Sequence, residues 1–190
     1  MMKKKQPPQL SRVNYIKTKA RTLPIDKCYL NTNWQVTGIS DIIVTRKHSN
    51  GNYTIGQYRV DTLGIGLQNT VGRFNEKEEF LNLIIDDLRS DVTEDNIYLE
   101  VDYALVHNII YGAIAFAEER SFKPHKEFSY TQYILEEDDE NIELMDIEFG
   151  VDGQHQITRY VTNEEFDKHV KLHGDDPIVL KGHRHDLKED

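Results

Sequence analysis

Ile39-Ser40-Asp41-Ile42-Ile43-Val44-Thr45-Arg46-Lys47-His48-Ser49-Asn50-Gly51-Asn52-Tyr53-Thr54-Ile55-Gly56-Gln57-Tyr58-Arg59-Val60-Asp61-Thr62 is the stretch whose reading decides the fold. Its first part is apolar and β-branched, the composition of a strand. Asn50-Gly51 follows, a pair that supplies the positive φ angles a tight hairpin needs. In the second part Tyr53, Ile55, Gln57, Arg59 and Asp61 alternate with Thr54, Gly56, Tyr58, Val60 and Thr62, which sends the two sets to opposite faces of a sheet. Two strands joined by a short turn run antiparallel.

Working outward, residues 24–30 read as an earlier strand and residues 31–38 as a turn around Trp34. Residues 63–75 contain Gly64, Gly66 and Gly72 and read as a glycine-rich loop. Residues 76–88 carry Phe80, Leu83, Ile84 and Leu88 at helical spacing, with acids in the first turn where the helix dipole favours them. Residues 102–120 are apolar almost all round, which predicts a helix at the centre of the fold. Residues 130–135 suit a short helix or a strand. Residues 144–149 and 154–160 flank Asp152-Gly153 and read as a second hairpin, and 162–173 as a last helix capped by Thr162 or Asn163. The expected fold class is α+β, a mainly antiparallel sheet with a central buried helix and two further helices.

The chain has 190 residues and a net charge of −10. That length fits one domain, and no run approaches the roughly 20 apolar residues of a membrane-spanning helix. The charge is unevenly placed. Residues 1–27 hold eight Lys and Arg against Asp26 alone, a net of +7 that leaves −17 for the rest. Residues 1–19 are expected to be a basic, disordered arm, residues 20–175 a single α+β domain, and residues 176–190 a polar tail. Cys28 stands alone, so no intramolecular disulfide can form. With no apolar segment after the basic start, a cytoplasmic location is expected.

Several residue sets could carry chemistry. His107, Tyr111, Ile114 and Glu118 share one stripe of the long helix. His107 and Tyr111 lie one turn apart, as a general base and a hydrogen-bond donor would; the alternative is a helix histidine satisfied locally. Asp61 ends a strand beside the glycine-rich loop, where it either acts as an acid or base or caps the loop amides. His125 follows Pro124 in a loop. The Gly64-Ile65-Gly66 start resembles a dinucleotide fingerprint, but Asn69 stands where the third glycine belongs, and neither the βαβ context nor a Gly-Lys-Ser/Thr is present. The spacings 169/173 and 183/185 of the C-terminal histidines lack a third ligand, so no metal and no cofactor are expected.

Residues 127–158 contain ten acids and no Lys or Arg. The densest run, Glu136, Glu137, Asp138, Asp139 and Glu140, lacks calcium-loop spacing. It reads as a solvated face or as a docking surface for a basic protein partner, the chain's own N-terminal arm included.

The stretches 20–30, 43–48 with Asn50-Gly51, 60–66, 112–119 before Phe122-Lys123-Pro124-His125, and Phe149-Gly150-Val151-Asp152-Gly153 together resemble an uncharacterised bacterial domain family of unknown function. The resemblance covers about residues 20–160 and implies that they form one domain. Similar proteins usually carry a Cys and a Gly-Val-Lys-Asp run near 64–69, where this chain has Ile65 and Gly66-Leu67-Gln68-Asn69. Some also carry a Cys-rich metal-binding tail that is absent here. The family implies no activity.

The expected function is a non-catalytic binding or regulatory domain acting through protein contacts. The alternative is a hydrolase using His107, His125 and Asp61, which requires that the three line one pocket. A further alternative is nucleic-acid contact through the basic N-terminal arm, with no membrane contact.

Overall fold

The computed structural model describes residues 11–90 and 97–156. The expected last helix, the four C-terminal histidines, the polar tail and Lys3, Lys4 and Lys5 lie outside these residues. Five strands form one antiparallel sheet: β1 (Ile25–Asn31), β2 (Ile39–Lys47), β3 (Tyr53–Asp61), β4 (Gly66–Glu76) and β5 (Tyr98–Val101), in the order β4-β3-β2-β1-β5. The architecture is α+β, as the alternation in β3 predicts. The Asn50-Gly51 turn closes the hairpin with Gly51 at φ +86°.

Strand alternation divides the side chains between two faces. Leu30, Ile42, Val44, Tyr58, Val60 and Leu67 pack beneath the central helix α4 (Tyr103–Glu118). Asp102 caps α4, its carboxylate accepting the Ala104 N–H at 2.7 Å. The helix buries Val106, Ile109, Ile110 and Ala113, in keeping with its nearly all-round apolar sequence. The opposite face carries Tyr29, Ile43, Tyr53 and Ile55 under the amphipathic helix α3 (Glu78–Ser90), which contributes Leu81 and Ile85.

The structure corrects four expectations. Residues 66–76 are not a loop but the edge strand β4. The glycines belong there because helices press on the backbone: a Cβ at Gly66 would lie 2.7 Å from Ala117 Cβ and 2.9 Å from the Ala113 carbonyl, and one at Gly72 would lie 2.9 Å from both Ile16 and Tyr130. An extra residue, Gln68, forms a bulge against Arg59 and Val60. The basic arm is not wholly unstructured either. Arg12–Lys19 is a helix, α1, capped by Ser11, whose hydroxyl accepts the Asn14 N–H. Ile16 and Ala20 are inaccessible in the main core, and that burial outweighs the polar composition of the arm. Residues 144–149 form no strand. Among the described residues around Asp152-Gly153 the turn is closed by the Val151–Gln154 bridge, and most of the expected partner strand, 154–160, lies outside them. Lastly, β5, which pairs with β1, was absent from the expected elements. The turn at Trp34 is a single helical turn, α2 (Trp34–Thr37), and residues 128–134 form a short helix, α5 (Phe128–Thr131), continued by a 3-10 turn.

Gly66, at φ +74°, faces both a conformational and a steric penalty if given a side chain. Gly66→Ala is expected to lower stability by about 2–5 kcal/mol, and Gly51→Ala, where φ is +86° in open space, by about 1–2 kcal/mol. Urea unfolding of both variants measures the difference.

Candidate functional site

The acidic segment that follows α5 begins at one heavily contacted residue. Glu136 is gripped three ways. Its backbone N–H donates to Tyr103 Oη at 2.7 Å, its carbonyl accepts from Tyr111 Oη at 3.4 Å, and its carboxylate accepts from Arg46 Nη2 at 2.8 Å. Arg46 is wholly buried. Its Nε donates to the Ile134 carbonyl at 2.6 Å and its Nη1 to the Leu23 carbonyl at 2.5 Å. Arg46 pairs with Thr54 on β3, and alternation sends its side chain inward beside Val44. A buried guanidinium persists only with its donors satisfied, and here the chain before β1 and the chain after α5 both supply acceptors. Next to it, Arg21 donates to the carbonyls of Leu135 and Gln132, forms an ion pair with Glu137 at 2.6 Å, and stacks over the Tyr133 ring.

Glu136 and Glu137 pair with Arg46 and Arg21 and fasten the start of the segment, while the Glu137 side chain stays 72% exposed. Asp138, Asp139 and Glu140 are exposed. Among the described residues, no Lys or Arg lies within ion-pair distance of Asp138, Asp139, Glu140, Glu143, Asp146 or Glu148. This strap, residues 136–148, crosses back over α4. Asn108 holds it, donating to the Glu143 carbonyl at 2.9 Å and accepting the Met145 N–H at 3.2 Å.

His107 lies beneath the strap between Tyr103 and Tyr111, with ring centroids 5.5 and 4.6 Å away. It is 2% exposed, and its Nε2 has no hydrogen-bond partner among the described residues. Burial lowers its pKa, and the opposing influence of Asp138 and of the Glu137 and Glu136 carbonyls is smaller. Burial likewise pushes Tyr111 up to about 12, so it remains a neutral donor. Cys28 is also buried and pushed up to about 12, chiefly by desolvation, which keeps it a thiol.

Asp61 stands elsewhere. Its Oδ1 accepts the Leu63 and Gly64 N–H groups at 2.8 and 3.0 Å, and its Oδ2 accepts from Gln68 at 3.2 Å. It caps the β3–β4 turn. Burial raises its pKa, with the amide donors opposing. Alternation after Val60 turns it to the face away from α4. His125 is anchored to β4, its backbone N–H donating to the Leu67 carbonyl at 3.0 Å, while its Nδ1 accepts the Glu127 N–H at 3.4 Å. His107, His125 and Asp61 thus occupy separate neighbourhoods, and none of them lines the groove beside Trp34 or the surface cavities beside Asn69 and Glu137. No group of three potential metal ligands occurs among the described residues.

Three contributors went unread in the sequence. Arg46 sits in an apolar strand, and its polarity there was the available signal. Tyr103 lies one turn before His107 on the same stripe. His155 is buried, stacked on Phe116 at 3.7 Å, with Nε2 2.7 Å from the Phe116 carbonyl; it secures the end of the described chain against α4. The chain matches no family model, no curated protein and no solved structure.

Two outcomes follow from this geometry. Glu136→Gln is expected to cost about 2–4 kcal/mol, less than a fully buried pair because the Glu136 side chain is 40% exposed, whereas Glu137→Gln, 72% exposed, costs at most about 1 kcal/mol. Since the folded His107 has a lowered pKa, protonation favours the unfolded chain. Its stabilising contribution is complete above the ordinary imidazole value of 6.5 and is lost as pH falls below it. Urea midpoints should therefore fall between neutral and mildly acidic pH in the wild type and fall less in His107→Phe. His48, also lowered by burial, contributes in the same direction.

Proposed function

We propose that this chain is a cytoplasmic, non-catalytic binding or regulatory domain that works through protein contacts, with the distal strap, residues 138–148, as its contact face. The observation that carries this reading is the division of labour within one acidic run. Glu136 and Glu137 are bound to Arg46 and Arg21, while the six acids beyond them meet no described basic residue. Carboxylates held on an anchored backbone and left without counter-charges suit a basic surface, and they set specificity and encounter rate more than raw affinity. The separation of His107, His125 and Asp61, with the Asp61 oxygens engaged by the turn amides, gives no support to the hydrolase alternative. Arm-mediated nucleic-acid binding is likewise less favoured at Arg21, whose guanidinium is engaged by the Leu135 and Gln132 carbonyls and by Glu137. The resemblance over residues 20–160 adds no activity, so the proposal rests on the geometry.

The full chain, immobilised, is expected to retain specific proteins at low salt and release them at about 1 M, where the Debye length is about 3 Å. Asp138→Asn/Asp139→Asn/Glu140→Gln, combined with Asp146→Asn/Glu148→Gln, should abolish that retention. Equal retention by wild type and the neutralised strap would sink the reading.

A further inference from the structure

We propose that the groove between α2, the β3–β4 turn, the start of α4 and the distal strap binds a short peptide segment in which a large apolar side chain is flanked by Arg or Lys. This inference rests on the reading of the strap as a contact face and specifies where and what it binds.

The groove encloses about 350 Å³, near the lower end of ligand-site volumes, and has room for one large side chain with its adjoining backbone. Trp34, Leu63, Leu105 and Ile147 line it half-buried, and Met145 is exposed at its edge. Five apolar side chains left partly in water around one concavity form a surface that gains from being covered. Beside it, Val36 and Leu144 are 90% and 89% exposed.

The rim carries charge of a single sign. Asp146 and Glu148 line the groove, and among the described residues no Lys or Arg does. Both are exposed, and neither lies within ion-pair distance of a described basic residue. An apolar floor with an acidic rim complements a segment that is apolar at its centre and basic at its flanks. The same carboxylates disfavour a phosphate backbone, and in a symmetric contact a second copy would set its own acids against these.

The walls are preformed, which lowers the ordering cost of binding. The Gly38 carbonyl accepts both the N–H and the hydroxyl of Thr62, at 2.8 and 3.0 Å. The Leu63 side chain fills the space a Cβ at Gly38 would need. On the strap side, Gly150 N–H donates to the Thr62 carbonyl at 2.9 Å, and Asn108 fixes Met145.

Trp34 is the only tryptophan in the sequence, so its emission reports on the groove directly. The full chain is titrated with three short synthetic peptides: Leu-Leu flanked on both sides by Arg, the same peptide with Ser-Ser at the centre, and the same with Glu flanks. The expected result is a saturable change in Trp34 emission with the Arg/Leu peptide only. Binding should be about tenfold weaker in Asp146→Lys/Glu148→Lys and about threefold weaker in Met145→Ser. Both variants change exposed side chains, and their unfolding midpoints are checked against wild type. No emission change with the Arg/Leu peptide, including a groove covered by the chain's own residues, overturns the inference. So does equal binding of the Ser peptide, or full affinity in both variants. Proteins captured by wild type that are lost on neutralising the whole strap, yet kept by Met145→Ser and by Asp146→Lys/Glu148→Lys, overturn the groove while leaving the contact-face reading intact.

Discussion

A guanidinium without access to water organises this molecule. Arg46 stands on the core face of a central strand, where an unpaired charge would cost several kcal/mol, so every donor direction needs a fixed acceptor. The Leu23 carbonyl comes from the segment entering β1, the Ile134 carbonyl from the turn after α5, and the carboxylate from Glu136. Two distant segments, at residue 23 and at 134–136, are thereby brought to one point on β2. The segment before β1, the sheet and the start of the strap meet there because the charge cannot be left unsatisfied.

The polar stripe of α4 serves the same junction. Tyr103 and Tyr111 hold the backbone of Glu136 from two sides, and His107 fills the space between the two rings. The stripe that resembles a catalytic pair in one dimension is a clamp in three. From that clamp the strap runs outward with its carboxylates unopposed, and at its far end Met145, Ile147 and Trp34 frame the groove. The anchored residues and the unpaired acids are two ends of one acidic segment: Glu136 and Glu137 pair with Arg46 and Arg21, and the acids from 138 to 148 meet no described basic residue.

Much of the fold was legible locally. The β2–β3 hairpin followed from alternation and Asn50-Gly51, and α4 from its all-round apolarity. β4 was misread because its glycines signal a loop, whereas here they admit Ala113, Ala117, Ile16 and Tyr130 to the strand backbone. α1 was missed because its composition is basic, although Ser11 and the Val13, Ile16, Ala20 spacing were there to be read. Asp152-Gly153 made its turn, but residues 144–149 before it form no strand, since a turn signal specifies only its own few residues.

The sequence alone determined the α+β class, the buried central helix, the lone thiol and the concentration of acid in one segment, because composition and periodicity act over neighbouring residues. Only the tertiary structure decided that Glu136 and Glu137 pair with Arg46 and Arg21, that Asp61 and His107 lie in separate neighbourhoods, and that Trp34 and Met145 line one groove. The Arg46–Glu136, Arg21–Glu137 and Trp34–Met145 juxtapositions span about 90 residues or more, and they arise from the need to satisfy buried charge and cover apolar surface, which no local pattern records.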